Sequence, residues 1–327
     1  MRLLSFFSGC GGLDLGFRRA GYQIVWANDN AHSVKETYEY NFPETEFCDT
    51  NINELNLEEL PDNITGIIGG PPCQSWSNAG KGGGFDDPRG KVFLTFINIL
   101  KEKKPLFFVA ENVKGLLAAR NKESFNEIKK AFINAGYDVW VECLNANDYE
   151  VPQNRERVIF VGFRKGLNVK YEFPQAKNNK PVVINAIRDL QETAVPMGHE
   201  PIINAHEYWE GGYSYIYMSR NRVLDWNKPS FTIQASGRQT SIHPSAPKMI
   251  KVEKDVFKFD QEGLHLYRRL TARECARIQT FPDDFVFRYN TLNDVYKMIG
   301  NAVPVNLAYH IGLSIRNVLE RLMGQNL

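Results

Sequence analysis

Short apolar runs alternate with segments of helical period through the first 165 residues, and no other feature restricts the fold as strongly. "RLLSFF", "YQIVWAND", "ITGIIGG" and "PLFFVAEN" are strand-length runs. Between them "LDLGFRRAG", "SVKETYEYNF" and "KVFLTFINILKEKK" repeat apolar residues at helical spacing. A helix at about 123–135 and strands at "VWVECLN" and "RVIFVGF" continue the series. Parallel strands need a long crossover, normally a helix, so this order predicts an α/β fold with a mostly parallel sheet covered on both faces.

The pattern breaks after Gly166. "PQAKNNKPVV" is polar and proline-bearing, and the hundred residues beyond it are rich in Tyr, Trp, Ser, Asn and Pro. Helical patterning returns at "TARECARIQTF", and a last amphipathic helix is expected over about 305–322. The expected organisation is a main domain of residues 1–171, completed by 284–327, with a smaller irregular domain of 172–283 between them.

Composition narrows the function classes. A hydrophobic fraction of 43% and a charged fraction of 24% suit a globular domain in water. No apolar run could span a bilayer, and "MRLLSFFSGCGG" lacks a signal-peptide cleavage pattern, so a cytoplasmic protein away from membranes is expected. The five cysteines are scattered without a CxxC pair, and the six histidines do not fall at ligand spacing. Neither a disulfide framework nor a bound metal is expected. The net charge of +1 hides an uneven distribution. Residues 164–273 hold 17 Lys and Arg against 11 Asp and Glu, while the remainder holds 22 against 27. The middle of the chain could face a polyanion or could be an unevenly charged solvated surface.

In "FFSGCGGLDLGF" a strand ends at Phe7, and Gly9, Gly11 and Gly12 make a tight turn into a helix. Such a turn lets backbone approach a nucleotide-like cofactor closely, or it is an ordinary strand–helix connection. Asp29, in "WANDN", stands where a dinucleotide fold places an acid for ribose hydroxyls, with a helix N-cap as the alternative. Asp49, after the next strand, could receive an adenine amino group. Cys73 follows two prolines in "GGPPCQSWS", where neither helix nor strand continues, and a Gly-rich stretch follows. A nucleophile on a movable loop suits that setting better than a small buried hydrophobe. Glu111 closes an apolar strand, where desolvation favours a protonated carboxyl and hence a general acid; a plain surface charge is the alternative. Arg155 and Arg157 flank Glu156 before another strand, so both are expected on one face, for an anion or oxygen acceptor or as a solvated strand end.

Six blocks, "FSGCGG", "GGPPCQSWS", "ENVKG", "QNRERV", "RRLTARECARIQTFPDDF" and "GNAVP", occur in this order. Together they resemble the DNA (cytosine-5) methyltransferase family across nearly the whole chain. The stretch from Tyr213 to Pro247 is further similar to HaeIII-type methyltransferases, which recognise GGCC. The resemblance implies a Rossmann-like, S-adenosylmethionine-dependent catalytic domain carrying a target-recognition domain.

It also implies roles. Cys73 would add to C6 of an extruded cytosine. Glu111 would bond N3 and the exocyclic amine, Arg157 would hold O2, and Arg155 would support the activated ring. Phe7, Gly9, Gly11, Gly12, Asp29, Asp49, Pro72, Asn301 and Val303 would form the cofactor site. The family commonly has Glu followed by a bulky apolar residue where this chain has Asp29 and Asn30. Ser77 and Thr232 would meet DNA backbone, and Arg220, Arg222 and Arg238 would read bases. The implied activity is methylation of the inner cytosine of GGCC in duplex DNA by a monomer, with base flipping. It would protect DNA from a restriction endonuclease acting on the same site without being bound to it. A cytosine methylase of transfer RNA and a catalytically inactive DNA-binding regulator are the competing readings.

Overall fold

The structure is a computed structural model that describes residues 1–72 and 88–324, with the side chains of 88–90 excepted. The chain divides into two compact units. The first comprises Met1–Asn145, Glu156–Ala176 and the C-terminal residues from Leu307; the second comprises Ala146–Arg155 and Lys177–Asn306. This division assigns residues 146–155 and 284–306 to the second unit, whereas the boundaries expected from sequence put both stretches in the main domain.

The first unit is built on seven strands: β1 (Arg2–Phe6), β2 (Gln23–Asn28), β3 (Glu46–Cys48), β4 (Gly66–Gly69), β5 (Phe107–Val113), β6 (Tyr137–Asn145) and β7 (Glu156–Arg164). Their order in the sheet is β3-β2-β1-β4-β5-β7-β6. The first five run parallel, while β7 inserts antiparallel between β5 and β6. Strand order reverses between β1 and β4. A sheet of this kind opens a ligand crevice there, beyond the carboxyl ends of the strands.

Four helices connect the strands: α1 (Gly12–Arg19), α2 (His32–Asn41), α3 (Pro88–Lys103) and α4 (Lys122–Asn134). An aromatic cluster fixes α3 and α4 to the sheet. Phe132 stacks on Phe108 at 4.4 Å and meets Phe93 and Phe96 edge-on. All four rings are fully buried. Buried rings of this size supply most of the apolar area that holds such layers together.

The second unit has little regular structure. It contains α5 (Val183–Ile187), α6 (Ala272–Ile278), α7 (Leu292–Asn301) and two small strand pairs, β8 (Val195–Pro196) with β9 (Glu207–Tyr208) and β10 (Ile250–Glu253) with β11 (Val256–Lys258). The last helix, α8 (Val305–Gly324), starts in this unit and continues into the first. With few ladders, backbone groups of the second unit are satisfied by buried polar side chains. Arg273, fully buried, donates to the carbonyls of Asn204 and Phe285 and to Asn204 Oδ1, each at 2.9 Å. Thr271 and Glu274 form a reciprocal cap on α6, and both Glu274 oxygens accept from Arg268 at 2.7 and 2.8 Å. Arg268 therefore holds the Glu274 carboxyl below its ordinary range despite burial. His243 packs 3.5 Å from Glu274, and burial pushes its pKa down to about 4. The "RRLTARECARIQTF" block thus acts as internal scaffolding.

Candidate active site

Sheet register aligns most of the first unit's candidates. Cys48, Asn28, Phe6, Gly69 and Ala110 are successive partners across β3, β2, β1, β4 and β5. Asp49, Asp29, Phe7, Gly70 and Glu111 each follow one of these residues directly, so a single sheet edge collects them. The edge is stitched together: Ser8 N–H donates to Asn28 O, and Asn28 Nδ2 donates to the carbonyls of Cys48 and Thr50.

The glycine turn is shaped by packing as well as by ligand access. Gly11 caps α1 in the left-handed region at φ 91°. A Cβ there would strike the Phe42 ring, which stacks with Tyr38 at 4.5 Å. Tyr38 OH in turn donates to Asp14 Oδ2 at 2.6 Å, and Ser5 Oγ donates to Asp14 Oδ1 at 2.7 Å. Asp14 is fully buried, and desolvation raises its pKa to about 6. This buttress under the turn was not recognised from sequence; the carboxylate in the first turn of an otherwise apolar helix face was the signal.

On its other side the turn is open. At Gly9, φ 55°, nothing lies within 4 Å of where a Cβ would project. Asp29 accepts from Gly9 N–H and Ala31 N–H, both at 2.9 Å. It therefore ties the glycine turn to Ala31, the residue that precedes α2. Asp49 is ion-paired with Lys35 at 3.1 Å and lies 3.5 Å from His32. The Lys35 hydrogen bond holds its carboxyl below the usual range. Phe7 adopts φ 56° and sits tilted against Phe96. Open space beside Gly9, a helix N-terminus at Gly12 and an acid at the end of β2 fit an adenosyl cofactor.

Glu111 and Arg157 come together. Arg157 Nε lies 2.8 Å from Glu111 Oε1, and both side chains are 13% exposed. Arg157 stands opposite Val113 on β7, diagonal to Glu111, which puts the two on one face of the sheet. Their N–H and carboxylate are close without being aligned for a hydrogen bond, so the contact is an ion pair. A Cβ on Gly70 would lie 3.3 Å from Glu111 Oε2, and Asn112 Nδ2 donates to Pro71 O at 2.9 Å. Asn112 thereby anchors the backbone just ahead of Pro72, which is exposed. Asn112 is a positioning residue that sequence reading passed over although it belongs to the "ENVKG" block. Cys73 and Ser77 lie outside the described residues.

Arg155 is occupied by backbone carbonyls of its own unit. It precedes β7, belongs to the second unit and is 1% exposed. Its guanidinium donates to the carbonyls of Gly300 and Ala302 at 2.9 Å and of Ile233 at 3.4 Å. It thus holds the "GNAVP" turn, where Asn301 is exposed and Val303 buried. Buried Gln153 and Gln279, also unrecognised in the sequence, extend this support: Gln153 bonds Gln279 and Ile233 N–H, and Gln279 bonds Ile299 O.

The remaining candidates lie in the second unit. Thr232 donates its hydroxyl to Asn154 O at 2.8 Å. Arg220 stands over the Phe231 ring, and exposed Arg238 reaches Tyr213 O. Arg222 departs from the expected surface reader: it is 5% exposed, and two of its nitrogens donate to Tyr217 O and Ile216 O at 2.7 and 2.8 Å. Among the described residues, no group of three or more His, Cys, Asp or Glu could hold a metal ion, and no helix is long and apolar enough to cross a membrane.

Comparison with known proteins bears on this geometry. A family model described as C-5 cytosine-specific DNA methylase matches residues 1–317. The chain is 51% identical to the Type II methyltransferase M.FnuDI of Fusobacterium nucleatum, over 98% of this chain and 95% of that protein. It is 49% identical to the Type II methyltransferase M.NgoPII of Neisseria gonorrhoeae, over 98% and 97%. Among solved structures, a putative DNA modification methyltransferase encoded within a prophage (E. coli) superposes with a TM-score of 0.75 at 25% identity, covering 98% of this chain and 99% of that one.

Proposed function

Since the chain belongs to the C-5 cytosine-specific DNA methylase family, and so is a DNA (cytosine-5-)-methyltransferase that uses S-adenosylmethionine, we propose that it methylates the inner cytosine of GGCC through a covalent bond between Cys73 and a flipped-out base. The observation that supports this chemistry best is the Glu111–Arg157 pair beside the anchored Gly70–Pro71 backbone. Cys73 follows Pro72 directly in the chain.

Cytosine C5 is too poor a nucleophile to accept a methyl group unaided. Addition of the Cys73 thiolate to C6 moves the C5–C6 π electrons onto C5 and makes the ring an enamine. Glu111 holds a proton toward N3 and accepts from the exocyclic amine; Arg157 donates to O2. S-adenosylmethionine supplies the methyl group as a sulfonium electrophile. Loss of the C5 proton to a base then breaks the C6–sulfur bond and restores the aromatic ring.

The target cannot be reached inside a duplex, so the base must be extruded. The positive balance of residues 164–273 suits the phosphate backbone. Specificity for GGCC rests on the resemblance of 213–247 to HaeIII-type enzymes. The Type II names of the relatives support a protective role beside a restriction endonuclease that cuts the same site. Bisulfite sequencing of DNA from an expressing host tests the assignment: 5-methylcytosine is expected at the inner cytosine of GGCC, and its appearance in a different context would overturn it.

A further inference from the structure

In the second unit, Ile216, Ser219, Arg220, Arg222, Gln234 and Gln239 line a cavity of about 310 Å³. Its hydrogen-bonding character is divided. Arginine only donates, so Arg220 can address guanine O6 and N7 but not a donor. Arg222 is immobilised, because Tyr217 O and Ile216 O hold two of its nitrogens and its guanidinium lies over the Tyr217 ring. A G·C pair presents a third group in the major groove, the cytosine N4 amine, and reading it requires an acceptor.

The cavity contains few acceptors. Gln234 is restrained by its Nε2 bond to Thr232 O, and Ser219 by its hydroxyl bond to Ile216 O. Gln239 differs. Its backbone is fixed in a short 3₁₀ turn, Gly237–Gln239, with Ser236 capping it, Gln239 N–H bound to Ser236 O and Gly237 N–H donating to Asn293. Its side chain is half-buried on the cavity wall and has no hydrogen-bond partner among the described residues. A free carboxamide on a rigid turn beside donor-only arginines is preorganised for a base edge.

We infer that Gln239 is a specificity-determining residue that accepts, through Oε1, the N4 amine of a cytosine in the recognition site, complementing arginine donation to guanine. The inference rests on the duplex-DNA reading above. Gln239→Leu deletes the acceptor at similar size; Gln239→Glu retains it. Each protein is assayed for kcat/KM on duplexes carrying the site that bisulfite sequencing defines. In separate duplexes, each cytosine other than the one methylated is replaced by pyrimidin-2-one, which lacks N4. At one position the unmodified protein and Gln239→Glu should lose about tenfold on this replacement, the size of a base contact. Gln239→Leu should be nearly indifferent there while binding S-adenosylmethionine normally. Equal losses for the unmodified protein and Gln239→Leu at every position overturn the inference. If Gln239→Leu does not fold, indifference of Gln239→Glu to N4 removal at every position overturns it instead. The sequence found by bisulfite sequencing judges the GGCC reading separately.

Discussion

Replacing Glu111 by Gln tests the active-site geometry in two currencies at once. The carboxylate lies 2.8 Å from Arg157 Nε, and neither side chain exceeds 13% exposure. Exposed ion pairs contribute roughly 0–1 kcal/mol, whereas removing one partner of a fully buried pair costs about 3–5 kcal/mol. This pair is sheltered at the end of the sheet without being sealed, so the neutral amide should destabilise the protein by about 2 kcal/mol. That corresponds to roughly 3 °C in the unfolding midpoint of a 327-residue protein. Arg157→Gln should cost a similar amount, and the double variant little more than either alone, which calorimetry of the four proteins measures as a coupling energy. Activity should respond differently. Loss of a positioned general acid should lower single-turnover methylation by about 10²–10⁴-fold while cofactor affinity is kept. Additive destabilisation with zero coupling would refute the ion pair. Normal turnover by Glu111→Gln would refute the acid role independently.

Phe132→Ala should destabilise the first unit by about 3–5 kcal/mol, since it empties the contact among Phe93, Phe96 and Phe108. Denaturant titration would expose an error if the loss were below 1 kcal/mol. His243 predicts a pH effect with a definite sign. Its folded pKa of about 4 lies below the ordinary value of 6.5, so the unfolded chain binds the extra proton. Its contribution is fully present above about pH 6.5 and is lost as pH falls toward 4, by on the order of 3 kcal/mol. Stability measured against Gln at position 243 should show that widening deficit; a pH-independent difference between the two proteins would contradict it.

The first unit was largely legible because its determinants are local. Strand-length runs, helical periods and the Gly9–Gly12 turn announce themselves within ten residues, and each strand end then carries its candidate to the same edge. The insertion of β7 between β5 and β6 was not legible, because pairing Phe107 with Phe163 depends on contacts far apart in sequence. The second unit resisted for another reason. Arg155, Arg222 and Arg273 have the composition of a ligand-binding surface, yet their donors close on carbonyls inside the unit. A guanidinium can replace missing ladder bonds as readily as it can bind phosphate or guanine, and residue type does not distinguish these uses. Asp49 shows the same ambiguity on a smaller scale, since Lys35 and His32 already surround it.

The sulfur of Cys73 is the atom on which the proposed chemistry turns. A GGCC duplex with 5-fluorocytosine as the target base tests it most directly, because fluorine cannot leave as the C5 proton does. Incubation with S-adenosylmethionine should yield a denaturation-resistant complex whose mass equals protein plus the methylated 5-fluorocytosine strand, with the linkage mapping by peptide mass spectrometry to Cys73, and none should form with Cys73→Ser. Efficient methylation of ordinary GGCC by Cys73→Ser, or a trapped linkage at a different residue, would contradict it.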